Sequence, residues 1–185
     1  MLFRYLKRID LRNVRLVEGG VFRYSVGLEA VTVNPGNHKF SVKDKVMYDR
    51  TRRAVVFCPR SRNTYSFPPG VEEIYSAAFQ GCALKKVVIP ATVGFVGYNA
   101  FSECQMLESV KFQCEDAIIG GGAFANTRSL RAVVLPSRLK GLDDWSYSTA
   151  RGSSRRLSSP TRWRLSTTPC SRTARDSGKL NSGSP

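Results

Sequence analysis

The chain holds a single histidine, His38, among 185 residues, and only 14 Asp or Glu against 29 Lys or Arg. One histidine removes most ways of building a base-assisted nucleophile, and with no cysteines at short paired spacing it argues against a metal site. No apolar run approaches the ~18 residues of a membrane-spanning helix. The first residues, MLFRYLKRIDLRNV, are broken by Arg4, Lys7 and Arg8 and form no signal-peptide core. Either the protein is intracellular or residue 1 is not the natural start of a longer secreted chain. Five cysteines are an odd number, which speaks against a complete disulfide framework. No G-x-S-x-G elbow is present. Gly120-Gly121-Gly122 lacks the strand–loop–helix setting and the Lys-Ser/Thr of a phosphate loop, so a turn is expected there.

What the chain does have is a sentence repeated three times between residues 71 and 142. VEEIYSAAFQGCALKKVVIP is followed by VGFVGYNAFSECQMLESVKF and DAIIGGGAFANTRSLRAVVLP. Phe79, Phe101 and Phe124 recur 22 and 23 residues apart, and Leu84, Leu107 and Leu130 recur every 23. Each leucine is followed by two apolar residues: Val87 and Ile89, Val110 and Phe112, Val133 and Leu135. Each phenylalanine is preceded at five residues by Ile74, Val96 or Ile119. A period in the low twenties marks a solenoid, in which one coil cannot bury its apolar side alone.

The succession V-x-x-I-x-x-x-A-F-x-x-C, then L, then V-x-I-P, resembles the BspA-like leucine-rich repeats. Ala78-Phe79, Ala100-Phe101 and Ala123-Phe124 supply the A-F pair, Cys82 and Cys104 the cysteine, and Pro90 and Pro136 the closing proline. Thr127 and Gln113 depart from the pattern, and the first copy is one residue short between Phe79 and Leu84. The resemblance implies a short right-handed stack of parallel strands with little helix. It also implies a surface protein that contacts other macromolecules, in adhesion or in host or matrix binding.

The expected fold is therefore a mainly β repeat solenoid, leucine-rich-repeat-like, over residues 1–147, with a Ser/Thr/Arg-rich disordered tail over 148–185. Leu6, Ile9 and Leu11 repeat the spacing of Leu84, Val87 and Ile89. Val14, Val17 and Phe22 repeat that of Val71, Ile74 and Phe79, and Leu28, Val31 and Val33 form the next strand. Nothing in these first residues looks like a cap.

Residues 34–70 break the period. The runs Val46-Met47-Tyr48 and Ala54–Phe57, joined by Asp49–Arg53, predict a β-hairpin, read as protruding from a longer coil. Thr64–Phe67 is a further extended piece. Leu139, Leu142 and Tyr147 continue the offsets, making Tyr147 the last stacked ring. The tail beyond is either a basic, phosphorylatable arm or an appendage without structural role.

Cys82, Cys104, Ser25 and Thr127 share one slot, which calls for a small, weakly polar inward group. A disulfide between stacked coils is the alternative. Gly97 and Gly120 are expected to permit tight turns.

No residues converge for catalysis. His38 lies in a turn-rich stretch, Glu72-Glu73 is expected in water, and Asp143-Asp144 sits at a chain end. No enzyme activity, cofactor or metal is expected. The commonest use of a solenoid is to present a surface, and alternation along the strands turns Lys86, Val88, Ser109, Lys111, Ala132 and Val134 outward. These six are the candidate contacts for a protein partner. The excess positive charge sits in residues 1–70 and in the tail. Arg50, Arg52 and Arg53, with Arg60 and Arg62 close behind and Tyr48, Phe57 and Tyr65 interleaved, form an alternative site for a polyanion, nucleic acid or acidic glycan.

Overall fold

The computed structural model describes residues 5–142 apart from 24, 26 and 137. It is a β-solenoid of about five turns, with no helix among the described residues. Strands β1 (Arg8–Asp10) and β2 (Ala30–Thr32) form a parallel pair. Strands β3 (Phe40–Lys43), β4 (Val46–Asp49) and β5 (Ala54–Phe57) form an antiparallel meander. From there each coil contributes a short strand and, past its Ala-Phe step, a second one. The first set is β6 (Glu73–Ile74), β8 (Phe95–Val96), β10 (Asp116–Ile119) and β12 (Arg138–Leu142). The second set is β7 (Lys86–Ile89), β9 (Ser109–Phe112) and β11 (Ala132–Val134).

The repeat register expected from the sequence is the register of the sheets. Val55, Ile74, Val96, Ile119 and Leu142 pair in succession across parallel strands. Between coils the backbone is stitched at the ring position: the Phe79 amide donates to the Ala100 carbonyl and the Phe101 amide to Ala123, both at 2.8 Å. Phe79, Phe101 and Phe124 are fully buried and stacked nearly parallel, with centroids 4.9 and 5.5 Å apart. Tyr147 lies outside the described residues.

The stack ends differently from the expectation at its other side. The Cys58 amide donates to the Ala78 carbonyl, so Cys58 holds the backbone position of a ring residue. Tyr65 and Phe67 supply the aromatic cover instead, edge-on to Phe79 at 4.9 and 5.7 Å. Thr64–Phe67 is thus packing material and not a strand. Phe22 is half-buried and joins a separate core, 5.0 Å from Phe57.

The hairpin does not protrude. Strand β4 inserts between β3 and β5, and β5 pairs with β6, so the meander extends the main sheet to seven strands. Its two central strands are buried on both faces. Alternation turns Val46 and Tyr48 away from Met47. A register shift opposite Met47 and Tyr48 leaves Val56 as the extra residue, so that Val55 and Phe57 face different cores. Val46, Tyr48, Val55 and Cys58 enter the core of the later coils, while Met47, Val56 and Phe57 enter the core with Val17, Leu28 and Val31. Its two turns are exposed, Asp44-Lys45 and Arg50 to Arg53. The β3–β4 connection, Asp44-Lys45, has φ of 52° and 65°, the two left-handed residues of a tight hairpin turn.

The small-residue slot is a donor position. The Cys104 thiol donates to the Phe79 carbonyl at 3.1 Å, and Cys82 to the Cys58 and Pro59 carbonyls at 3.6 and 3.4 Å. In the third coil the Thr127 hydroxyl donates to Phe124 at 2.7 Å. Cys58, Cys82, Cys104 and Cys114 are all buried, and no disulfide joins Cys82 to Cys104. Burial pushes the Cys104 thiol up to about 12. Its hydrogen bond with Cys58, then burial, pushes Cys82 far up as well.

Gly97 and Gly120 serve a purpose other than a turn, since neither has a positive φ. A Cβ on Gly97 would stand 2.5 Å from the Ser76 nitrogen, and one on Gly120 would stand 2.8 Å from the Tyr98 nitrogen. They let one coil's backbone close on the next. Gly122, with φ 67°, is the residue of the glycine run that makes a left-handed turn.

Candidate interaction face

Strands β7, β9 and β11 owe their shape to alternation. Val87, Val110 and Val133 point inward and are buried, so the residues on either side must point out. Parallel pairing holds them in exact rows without slippage: Lys86 beside Ser109 beside Ala132, and Val88 beside Lys111 beside Val134. All six candidate contacts therefore lie on one face, two per strand. Lys86, Val88, Lys111 and Ala132 are exposed, with Ser109 and Val134 half-buried. Val88 keeps 47% of its surface in water although it is a large apolar residue.

Neither Lys86 nor Lys111 has an ion-pair partner among the described residues. Lys111, with Val88 and Val134 at its sides, offers a cation between two apolar contacts. That suits a partner carrying a carboxylate beside aliphatic or aromatic groups, since a charge-assisted bond is stronger than a neutral one.

One border of the face was not singled out from the sequence. The Glu108 amide donates to the Lys85 carbonyl at 2.8 Å and the Arg131 amide to Glu108 at 2.9 Å, aligning three exposed charged residues. Their signal was there to be read: each is the charged residue just before a strand, one repeat apart. Arg8, Asp10, Ala30 and Thr32 turn outward on the separate β1–β2 pair. Among the described residues no strand bridges the two sheets, because the coil of residues 34–70 has only the irregular Thr64–Phe67 piece at that level.

The five arginines of the alternative site do not converge. Arg50, Arg52 and Arg53 are exposed at the β4–β5 tip, where Arg53 pairs with Glu72 at 3.5 Å. Arg62 donates to the Asp44 carbonyl at the β3–β4 turn, the opposite end of β4. Arg60 lies between coils, 3.9 Å from Glu103 and 3.4 Å from the Arg23 carbonyl. Tyr48 is buried, and its hydroxyl meets that of Tyr65 at 3.0 Å, so neither ring is free to stack on a base. His38 is exposed beside the turn of residues 34–37.

This geometry defines a leucine-rich-repeat solenoid. Residues 55–152 match the family described as BspA type leucine rich repeat region (6 copies), and the chain belongs to that family. No curated protein matches the chain in sequence. Among solved structures it is similar to a leucine-rich cell surface protein from Faecalibacterium prausnitzii, at 24% identity and a TM-score of 0.65, over 76% of this chain and 38% of that one. It is also similar to the pneumococcal vaccine antigen PcpA, at 19% identity and a TM-score of 0.57, over 78% of this chain and 46% of that one. A leucine-rich repeat protein from Eubacterium ventriosum matches at 18% identity and a TM-score of 0.52, over 72% and 50%. The chain thus spans half or less of each of these structures. At such identities the likeness concerns the fold.

Proposed function

We propose that this protein is a non-catalytic binding module that presents the β7–β9–β11 face to a protein partner at a cell surface. One observation carries the reading: the parallel register aligns six outward side chains into two rows, in which two lysines without an ion-pair partner among the described residues stand beside aliphatic groups. Membership of the repeat family supports a protein-interaction role. The resemblance to a cell surface protein supports the location.

Surface plasmon resonance against immobilised extracellular-matrix proteins and acidic glycans tests it. Val88→Asp with Lys111→Glu is expected to weaken protein binding at least about tenfold, a change of about 1.4 kcal/mol, and to leave the melting temperature unchanged. Unaltered affinity would reject the face as the binding surface.

A second reading rests on the exposed tip arginines Arg50, Arg52 and Arg53. In that reading the tip holds a polyanion, and affinity falls steeply with salt through counterion release. Reversing those three charges would abolish binding to acidic glycans and spare the protein contact.

A further inference from the structure

The outer edge of β1 pairs with no strand among the described residues. On its inner side Lys7 and Leu11 serve β2: the Ala30 amide donates to the Lys7 carbonyl at 3.2 Å, and the Leu11 amide to Thr32 at 2.9 Å. Backbone groups alternate sides along a strand, so those of Arg8 and Asp10 point to the open edge. Beside this edge an open apolar groove of about 360 Å³ is lined by Leu6, Ile9, Leu11, Leu16, Val21 and Phe22. Leu16 is 72% exposed and Val21 48%. An open edge next to exposed apolar surface is a template for pairing.

The edge sequence selects the partner. Arg8-Ile9-Asp10 is self-complementary when two copies run antiparallel about Ile9: Arg8 of each meets Asp10 of the other, and Ile9 meets Ile9. The same arrangement turns the outward amides and carbonyls of Arg8 and Asp10 toward each other, as an antiparallel hydrogen-bonded pair requires. Arg8 has no ion-pair partner among the described residues. Asp10 has only an exposed one, Arg12 at 3.8 Å, which contributes little and can exchange. We propose that a second copy of this chain docks on the N-terminal end. It pairs β1 with β1 about a two-fold axis and closes the two apolar grooves against each other. A two-fold interface of this kind uses one surface twice and cannot grow into a filament.

Sedimentation velocity across the micromolar range tests this with the full chain. The wild type is expected to show a concentration-dependent monomer–dimer equilibrium. Arg8→Asp and Asp10→Arg, which each set like charges opposite one another, should each weaken it at least about tenfold. An equimolar mixture of the two variants should recover the dimer, because each then meets its opposite charge. Asp10 also accepts a hydrogen bond from Thr32. Leu16→Glu, at an exposed position, therefore serves as a second variant, expected to disrupt the dimer without lowering the melting temperature. A wild type that stays monomeric, variants that dimerise as the wild type does, or a mixture that does not recover would each overturn the proposal.

Discussion

The ring of Phe101 lies 4.9 Å from that of Phe79 and 8° from parallel with it, so each coil hands its aromatic core directly to the next. Phe101 is also stacked on Phe124 and has no surface in water. Phe101→Ala should therefore cost about 3–5 kcal/mol, as large-to-small core changes do. Phe22→Ala, at a half-buried ring in the smaller core, should cost about 1–2 kcal/mol. Chemical denaturation followed by circular dichroism measures both.

Coil spacing should be as sensitive to one methyl group as the core is to a ring. Gly97→Ala places a Cβ against the backbone of Tyr75 and Ser76. Nothing flexible can yield there, and a loss of about 1–3 kcal/mol is expected. Gly94, three residues earlier, has nothing within 4 Å of its would-be Cβ. Gly94→Ala should stay within about 0.5 kcal/mol of the wild type. In the tight turn, Lys45→Gly removes a left-handed non-glycine residue at φ 65° and should stabilise by about 1 kcal/mol. Thermal melts of the three variants give the comparison.

Stability should fall with rising alkalinity. An unfolded cysteine ionises near ~8.5, whereas burial holds Cys104 protonated up to about 12. The unfolded chain therefore releases its proton first, and ionisation favours unfolding. The contribution is intact below pH ~8.5 and is lost as pH rises toward 12, at about 1.4 kcal/mol per unit for each such thiol. Tyr65, raised by burial and by its hydrogen bond to Tyr48, acts in the same sense at higher pH. Cys104→Ser keeps a donor for the Phe79 carbonyl and should flatten the slope of unfolding free energy between pH 8.5 and 10 by about 1 kcal/mol per unit.

The buried hairpin sends side chains into both cores and is expected to couple them into one cooperative unit. Met47 is fully buried in the smaller core, while its neighbours Val46 and Tyr48 are in the larger. Met47→Ala should cost about 2–5 kcal/mol and lower one transition. If the smaller core melted alone, circular dichroism would show a first step in the variant while the later coils remained folded.

The periodic part of this architecture was legible because each repeated residue recurs for one physical reason. Phe79, Phe101 and Phe124 must stack, and Val87, Val110 and Val133 must point inward, which fixes the outward residues of the candidate face between them. The 34–70 coil offers no period to extend. Its clue was the unbroken apolar run Ala54-Val55-Val56-Phe57, which marks a strand buried on both faces and not an exposed hairpin. Tyr65 and Phe67 could not be assigned to the ring stack, because they reach Phe79 from a segment with no repeat offset. The close approach at Gly97 and Gly120 depends on inter-coil distance, which spacing along one chain does not reveal. For the same reason the arginines 50, 52, 53, 60 and 62 looked like one cluster, while the folded backbone sends them to separate places.

The most direct test of the proposed function follows the tightest-binding matrix protein at low and physiological salt. It compares the wild type, the Val88→Asp/Lys111→Glu face variant and a variant with Arg50, Arg52 and Arg53 changed to Glu. The expected result is a modest loss of wild-type affinity with salt, about tenfold or greater weakening in the face variant, and no change in the tip variant. Binding that collapses with salt and disappears only in the tip variant would contradict the account.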